Sequence, residues 1–309
     1  MYNYNHLFYF YATVKSGGVN SAAKHLRISQ PSLSSQLKVL ESSLDTKLFH
    51  KVGRHNELTP EGKVIFGFCR QMFQLSEEMH ELVSKQVPYA ARRMYIGVSF
   101  EVANSFVVEV VSIFLNKYSD PLRPKVTIIS GAHYRLVEQL RFRELDAIIT
   151  QVAMTNSDLV NLEKVEVPVN LIFGEPQKKI NFRKSDIASV LMALNKNVEA
   201  RWVMPLQSFR LRTEIDQFFE DQSLQGRIVF ESDVMESIIR SVVDGFGITF
   251  LPSVYVPKEI KNKSICLVGP KGGYWKHRIW LACNSVSKED DLLQSLSLSF
   301  GEACKPMMC

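Results

Sequence analysis

The sequence predicts an α/β protein in two parts, a small helical head followed by a larger body of two α/β lobes. In the first third of the chain, apolar residues lie three and four apart, a spacing typical of amphipathic helices. From about residue 94 onward, short apolar runs alternate with helical patterns, which favours α/β lobes with mainly parallel sheets. The 309 residues are enough for two or three compact domains.

The net charge also differs between these two parts of the chain. The net charge of the chain is +5, and the whole excess lies in the first 93 residues, which hold 12 Lys and Arg against 7 Asp and Glu. The rest of the chain has 25 of each sign. A basic head on a neutral body predicts a polyanion-binding head, although a chance excess of five charges would look the same.

Several protein classes are excluded by composition. No apolar run reaches the length of a membrane span, and the first residues lack a secretory signal, so we expect a cytoplasmic protein with no membrane contact. Five scattered cysteines without a CxxC pair predict free thiols and no zinc site. The chain has no G-x-S-x-G, P-loop or H-E-x-x-H motif, so we expect no enzyme activity and no cofactor.

Three short helices are predicted in the head. The first has an apolar face and ends at Gly17 and Gly18. Asn20 is the predicted N-cap of the second helix and Ser29 that of the third, which has Pro31 in its first turn. The predicted apolar faces of the three helices contain Leu7, Phe10, Tyr11 and Val14; Ala22, Ala23 and Leu26; and Leu33, Leu37, Leu40 and Leu44.

The opposite face of the third helix carries small polar residues and one lysine, and no acid occurs between Gln30 and Val39. A solvated face would usually mix both signs of charge. A face that enters a DNA major groove needs small hydrogen-bonding groups and cations, because acids would meet phosphate. Two helices joined by a short turn with this face predict a helix-turn-helix.

A wing and a long helix are predicted next. Leu48 to Leu58 indicates two short strands around a basic tip, where Arg54 is placed to reach a minor groove or, alternatively, is an exposed hairpin residue. Thr59 and Pro60 begin a helix that Pro88 ends. We expect its apolar face to pair with the same helix of a second chain, or else to pack on its own body. That face holds Ile65, Phe68, Cys69, Met72, Phe73, Leu75, Met79, Leu82 and Val83.

These residues form a long ordered signature. Ala22-Ala23-x-x-Leu26-x-x-Ser29-Gln30-Pro31-Ser32-Leu33-Ser34-x-Gln36-Leu37-x-x-Leu40-Glu41, followed by Lys47-Leu48-Phe49 and Leu58-Thr59-Pro60-Glu61-Gly62, closely resembles the LysR-type transcriptional regulators. The opening Asn3-Tyr4-Asn5-His6-Leu7 is similar to the subgroup that activates sodium/proton antiporter genes. Many members carry an arginine where this chain has Ser35. The resemblance implies DNA contacts from Gln30, Pro31, Ser34, Ser35, Gln36, Lys38 and, in the wing, Arg54.

The resemblance extends to the body through Arg227–Pro252. It implies a winged helix-turn-helix and a linker helix, then a two-lobed, periplasmic-binding-protein-like α/β effector domain that binds a small inducer between its lobes. The expected domains are 1–59 for the winged helix-turn-helix, 60–88 for the linker (dimerisation) helix, 94–161 with 266–309 for effector lobe I, and 162–265 for effector lobe II.

A cleft is expected at the carboxyl ends of the strands, where α/β folds bind ligands. Family members often have a small hydroxyl residue where Glu101 aligns, and a glutamate there disfavours a carboxylate effector and suits a cation or amine. Glu101 at the start of a helix is an equally good alternative. His133 is expected in a loop with a hydrogen bond rather than as a metal ligand. The predicted effector-binding residues are Ser99, Phe100, Glu101, Ser130, His133, Thr150, Gln207, Ser208 and Phe246.

The sequence therefore predicts a transcriptional regulator that binds double-stranded DNA as a homodimer or homotetramer. A small molecule or an ion in the cleft would modulate that binding. Two alternatives stay open: a redox- or cation-sensing regulator of the same fold, and a solute-binding module with no DNA role. A redox sensor would need an accessible cysteine of low pKa with a resolving partner.

Overall fold

The structure is a computed structural model, and it describes residues 2–52, 55–85, 92–120, 123–174 and 200–304. The chain divides into two compact units. The first consists mainly of residues 1–93, and the second contains most of the chain from residue 94 onward. We call the helices and hairpin of residues 2–85 the head and the second unit the body.

The head begins with helices α1 (Tyr4–Lys15), α2 (Val19–Leu26) and α3 (Gln30–Leu44). The Ser29 hydroxyl accepts the Ser32 N–H at 3.2 Å and caps α3, which confirms that predicted start. The predicted cap of α2 is wrong. Gly18, at a φ of 141°, precedes the helix without any side-chain cap, and Asn20 lies inside the helix. Glycine tolerates this backbone conformation, so the chain enters α2 earlier than expected.

The apolar faces of the three helices meet as predicted. Phe10, Leu33 and Leu40 are fully buried, and their rings and methyl groups form the centre of the head. A hairpin of β1 (Phe49–Val52) and β2 (His55–Leu58) follows α3, with Phe49 paired to Leu58. The Thr59 hydroxyl then accepts the Gly62 N–H at 2.9 Å and donates to the Lys47 carbonyl at 2.6 Å. Thr59 thus ties the start of the next helix to the hairpin.

Helix α4 (Pro60–Lys85) divides its apolar residues between two faces. One face packs on the head: Cys69 is buried, and the Phe73 ring meets Tyr4 and Phe8 edge-on at 4.9 and 5.2 Å. The predicted apolar face is therefore not one continuous surface for a second chain, because α1 covers part of it. The side chains of Leu82 and Val83, and Pro88, lie outside the described residues. The other face is exposed and contains Val64, Phe68, Met72, Leu75 and Met79.

Within the described residues, nine strands of the body form one sheet. The strands are β3 (Arg93–Ser99), β4 (Lys125–Gly131), β5 (Ala147–Thr150), β6 (Leu159–Gly174), β7 (Arg201–Pro205), β8 (Arg227–Ser232), β9 (Ile248–Pro252), β10 (Ile265–Val268) and β11 (Trp275–Asn284). Their order is β4-β3-β5-β11-β6-β9-β7-β8, with β10 beside β6. The helices are α5 (Asn104–Asn116), α6 (His133–Arg141), α7 (Arg210–Asp221), α8 (Met235–Val243), α9 (Pro257–Lys261) and α10 (Asp291–Glu302).

The sheet is mixed, whereas the alternating pattern predicts mainly parallel strands. The pairs β3–β5, β7–β8 and β7–β9 are parallel. Between them, the long strands β6 and β11 run antiparallel to each other and to their outer neighbours β9 and β5. The two long strands join the two lobes, lobe I with β3, β4 and β5 and lobe II with β7, β8 and β9. β6 and β11 run antiparallel to these neighbours, so neither takes part in the parallel pairing within a lobe.

The body contains two elements that the sequence analysis did not predict, and one residue lies elsewhere than expected. The lysine-rich stretch near residue 260 contains α9 and is followed by β10, which pairs with the end of β6. His133, expected in a loop, is the first residue of α6. The buried core itself follows the predicted apolar strands, with Ile96, Val167 and Leu281 fully buried. No helix in the described part of the chain is long and apolar enough to cross a membrane.

Candidate functional site

The polar face of α3 is open to solvent. Gln30, Pro31, Ser35 and Lys38 are exposed, and Ser34 and Gln36 are half-buried. The Gln30 side-chain amide donates to the Ser34 hydroxyl at 2.9 Å, which holds two predicted contact residues side by side. Arg54, predicted at the tip of the wing, lies outside the described residues.

The first acid of α3, Glu41, points away from that face and into the start of the hairpin. Its carboxylate accepts the backbone N–H of Leu48 at 2.9 Å and an ion pair from Lys47, also at 2.9 Å. Burial alone would raise the pKa of Glu41, but these hydrogen bonds outweigh it and lower the pKa. The only cation of the polar face, Lys38, has no carboxylate within ion-pair distance among the residues described.

A groove of about 550 Å³ lies beside α3, between the start of α2 and the hairpin. Its polar lining includes Asn20, Gln30, Ser34 and Asn56. None of the described lining residues is acidic, so this concave surface continues the acid-free face of α3.

In the body, the predicted residues of lobe I gather at one edge of the sheet. Strands β3 and β5 are parallel, so their last residues, Ser99 and Thr150, lie at the same end of the sheet, and both are buried. The Phe100 N–H donates to the Gly131 carbonyl at 3.2 Å. Phe100 and Ser130 are exposed there.

His133 has the hydrogen bond that was expected of it. Its ring Nδ1 lies 2.8 Å from the Thr150 hydroxyl, and burial lowers the pKa of the ring. Within the described residues, no group of three or more His, Cys, Asp or Glu residues could hold a metal ion.

Of the residues predicted in lobe II, Gln207 and Ser208 lie at the cleft and Phe246 does not. Gln207 and Ser208 are exposed in the turn between β7 and α7. The next helix starts at Arg210, whose backbone N–H donates to the Glu101 carboxylate of lobe I at 3.0 Å. Phe246 does not join them. It precedes β9, which is parallel to β7, and therefore lies at the opposite end of the sheet from the residues that follow β7. The prediction of Phe246 as a cleft residue is therefore wrong, because Phe246 precedes its strand whereas the cleft lies where the strands end.

Each lobe contributes a carboxylate that accepts the first N–H of a helix in the other lobe. Glu101 of lobe I accepts the N–H of Arg210, the first residue of α7, and Glu236 of lobe II accepts the N–H of Asn104, the first residue of α5, at 2.7 Å. Neither helix has a cap from its own N-cap side chain. We call these two contacts the crossed caps. Carboxylates at helix N-termini are stabilising, so each lobe provides a hydrogen-bond acceptor for a free backbone N–H at the start of a helix in the other lobe.

Six residues form a closed series of contacts across the cleft, and two of the links use backbone atoms, the Arg210 N–H and the Glu101 carbonyl. Glu101 accepts from Arg210; Arg210 Nε donates to Glu214 at 3.4 Å; and Glu214 accepts from His277 Nδ1 at 2.7 Å. The His277 ring lies edge-on to Tyr255, with centroids 6.4 Å apart. The Tyr255 hydroxyl accepts from Gln151 Nε2 at 3.1 Å, and the same amide donates to the Glu101 carbonyl at 2.7 Å. We call this the cleft ring: Glu101, Gln151, Arg210, Glu214, Tyr255 and His277.

Burial sets the electrostatics of the cleft ring. Burial raises the pKa of Glu101, although the Arg210 N–H and the nearby His277 oppose the rise. Glu214 is half-buried, and hydrogen bonds from His277 and Trp275 outweigh the effect of burial and lower its pKa. A carboxylate only accepts hydrogen bonds, so His277 Nδ1 carries the hydrogen. Among the described residues, His277 Nε2 and Gln151 Oε1 have no hydrogen-bond partner.

The described cysteines are poor redox sensors. Cys69, Cys283 and Cys304 are buried, and burial raises the pKa of each thiol to about 12. A reactive thiol needs a lowered pKa and access to solvent, so these three do not favour the redox alternative. Cys266 is partly exposed, and Cys309 lies outside the described residues.

Comparison with known families decides the identity of the chain. Residues 4–63 match the bacterial regulatory helix-turn-helix proteins of the lysR family, and residues 192–304 match the LysR substrate binding domain. The chain belongs to the LysR family. The predicted fold class, a helix-turn-helix domain before a two-lobed α/β domain, is thereby confirmed for this LysR-family protein.

Relatives of this LysR-family protein are regulators. The transcriptional activator protein NhaR of Escherichia coli is 29% identical over 168 residues, which is 53% of this chain and 54% of NhaR. The match thus spans about half the length of NhaR. The RuBisCO operon transcriptional regulator of Allochromatium vinosum is 22% identical and covers 85% of this chain and 83% of its own. These matches are transcriptional regulators and not enzymes, which confirms the prediction that the chain is no enzyme.

A solved structure has the same fold. ArgP from Mycobacterium tuberculosis superposes on this LysR-family protein with a TM-score of 0.67 at 14% identity, over 97% of this chain and 96% of ArgP. At this identity the likeness concerns the fold alone.

Proposed function

We propose that the protein regulates transcription by binding double-stranded DNA in the cytoplasm as a homodimer or homotetramer, with a small ligand in the cleft modulating the binding. The observation that carries the DNA role is the exposed, acid-free face of α3 with the neighbouring groove, where Lys38 has no ion-pair partner among the described residues. Phosphate repels acids and attracts such cations, so this surface suits a major groove. Gln30, Pro31, Ser34, Ser35, Gln36, Lys38 and Arg54 are the proposed contacts.

The exposed face of α4 supports a dimer. Phe68 is 47% exposed, Leu75 67% and Met79 64%, and together with Val64 and Met72 they lie three or four residues apart along one side. Such a stripe on a long helix suits pairing with the same helix of a second copy. A two-fold dimer would present two α3 helices to a palindromic site.

The edges of the sheet offer a second surface for assembly. Strand β8 exposes Ile228 and Val229, and β4 exposes Ile128 at the other edge. Exposed apolar edge strands need covering, and contact between effector domains would convert dimers into tetramers. The domain limits 1–59, 60–88, 94–161 with 266–309, and 162–265 are part of this proposal.

Regulation would act through the lobes. Ligand in the cleft favours one arrangement of the two lobes and thereby changes the spacing of the DNA-binding heads, a coupling of two binding equilibria without chemistry. The crossed caps support this, because they are hydrogen bonds between the two lobes, which a change in the arrangement of the lobes would break.

A finer placement is proposed from the resemblance to NhaR. The opening residues Asn3 to Leu7 and the 29% identity support membership of the subgroup that activates sodium/proton antiporter genes. The test is a footprint: the full chain should protect a site upstream of an antiporter gene more strongly than an unrelated promoter.

The proposal is tested by DNA shift assays with the full chain and with a chain that lacks residues 1–87. We expect the full chain to shift duplex DNA at low ionic strength and the truncated chain to shift none. Size-exclusion chromatography with light scattering measures the assembly of the same samples. A full chain that is monomeric and does not shift DNA would refute the proposal.

A further inference from the structure

A groove of about 530 Å³ lies in the body between α5, α8 and α9. Its described lining contains none of the effector-binding residues predicted from the sequence. Sites for small molecules usually enclose about 300–1,000 Å³, so the groove has the size of a ligand site. We call it the α5–α8 groove.

The apolar part of the α5–α8 groove comes from both helices. Val108 of α5 is 61% exposed, and Ile239 and Val243 of α8 line the same groove. Ile239 is buried and Val243 is half-buried. An apolar group that enters the groove would remove the Val108 side chain and part of itself from water, which is favourable.

Charged side chains of both signs line the rest of the groove. Glu236 and Arg240 come from α8, and Lys258 and Glu259 come from α9. Glu236 accepts the Asn104 N–H, and Arg240 Nε pairs with Asp244 at 2.8 Å. Lys258 and Glu259 have no ion-pair partner in the described part of the chain. The groove therefore offers one unpaired cation and one unpaired anion.

A ligand with a single charge would meet opposition in this lining. A carboxylate that approaches Lys258 also approaches Glu259, the next residue of α9, and an ammonium group that approaches Glu259 also approaches Lys258. Charges of equal sign repel one another across these short distances. A ligand that carries both charges can pair with both side chains.

We infer that the α5–α8 groove binds a small zwitterion with an apolar chain, the chemical class of the apolar amino acids. Its carboxylate pairs with Lys258 and its ammonium group with Glu259, while the chain packs on Val108, Ile239 and Val243. This is a second ligand site, beyond the one proposed in the cleft.

The groove spans the joint between the two lobes. Val108 belongs to lobe I and Ile239 to lobe II, and the Glu236 carboxylate in the lining is one of the crossed caps. Tyr255 also lines the groove, and its hydroxyl accepts from Gln151 in the cleft ring. A ligand held by both α5 and α8 stabilises the arrangement of the lobes in which these helices flank it.

The test measures the melting temperature of the full chain at neutral pH with norleucine and with three compounds that each lack one part of it. Hexanoate lacks the amino group, pentylammonium lacks the carboxylate, and glycine lacks the apolar chain. We expect norleucine at about ten times its Kd to raise the melting temperature by about 2–4 °C, and the other three at that concentration to raise it by less than about 1 °C. No rise with norleucine, or an equal rise with any of the three, would overturn the inference.

A substitution that fills the groove locates the binding. Val108→Trp places an indole among the lining residues and should raise the Kd of norleucine more than about tenfold. The matched control is Leu298→Trp, because Leu298 is 66% exposed on α10 and outside the described lining. This control should leave the Kd unchanged. Norleucine binding that survives Val108→Trp would place the ligand elsewhere and overturn the inference.

A second substitution tests the charge pairing. Lys258→Met should raise the Kd of norleucine about three- to tenfold and lower that of pentylammonium, because a cation that repels an amine is removed. The matched control is Lys261→Met, an exposed lysine of α9 outside the described lining, which should change neither Kd. An unchanged Kd of norleucine in Lys258→Met, or equal changes in both variants, would contradict the assignment.

Discussion

Replacement of Lys38 by alanine tests the DNA-binding surface directly. Lys38 is exposed on the polar face of α3, one turn after Ser34, and no described carboxylate neutralises it. If it contacts a phosphate, each subunit loses about 0.9 from the slope of log K against log salt. At 0.1 M salt this corresponds to about eightfold weaker binding per subunit and about sixtyfold for a dimer.

The assay is fluorescence anisotropy with one labelled duplex at four salt concentrations. The matched control is Lys15→Ala, because Lys15 is also an exposed lysine of the head but pairs with Glu77 at 3.9 Å. We expect Lys15→Ala to keep the slope of the unmodified chain. A normal slope and affinity for Lys38→Ala, or an equal loss for Lys15→Ala, would show that α3 does not meet phosphate through this residue.

Three other predictions concern assembly and stability. The double substitution Phe68→Glu and Leu75→Glu places two charges on the exposed face of α4 and should turn dimers into monomers, which light scattering measures. An unchanged mass would show that this face is not the dimer interface. Arg212 is buried and pairs with two partly exposed acids, so Arg212→Met should lower the free energy of unfolding by about 2–4 kcal/mol in urea titrations, and a loss below about 0.5 kcal/mol would contradict that. The lowered pKa of Glu214 contributes stability that is present above its ordinary value of 4.5 and is lost as pH falls below it. Melting temperatures between pH 6 and pH 3 should therefore fall less steeply in Glu214→Gln.

The helical head was predictable because its contacts are local. The leucines of α3 recur with the helical period, and three of them, Leu33, Leu37 and Leu40, are buried. Gly18 shows the limit, since a glycine that starts a helix without a cap gives no side-chain signal. Helix α4 shows another: periodicity identifies apolar positions, but not that Phe73 meets α1 while Phe68, five residues earlier, stays exposed.

The cleft was predictable only in part. Ser99 and Thr150 end strands that the sequence marks clearly, and Glu101 follows the first of them, so their position at the same end of the sheet could be expected. The cleft ring could not, because its members lie between residues 101 and 277 with no regular spacing. A usable signal was present in His277, a titratable residue among the apolar alternation of β11. The sequence offered no reason to pair it with Glu214 until α7 was placed beside that strand.

The crossed caps make the two lobes of the body mutually dependent. If either lobe were expressed as a half-molecule, the first turn of α5 or α7 would lose the carboxylate that accepts its first N–H and would fray. In the intact protein, separation of the lobes would likewise break the hydrogen bonds at both helix N-termini. Dissection of this body into separate halves should therefore yield fragments less helical than the whole.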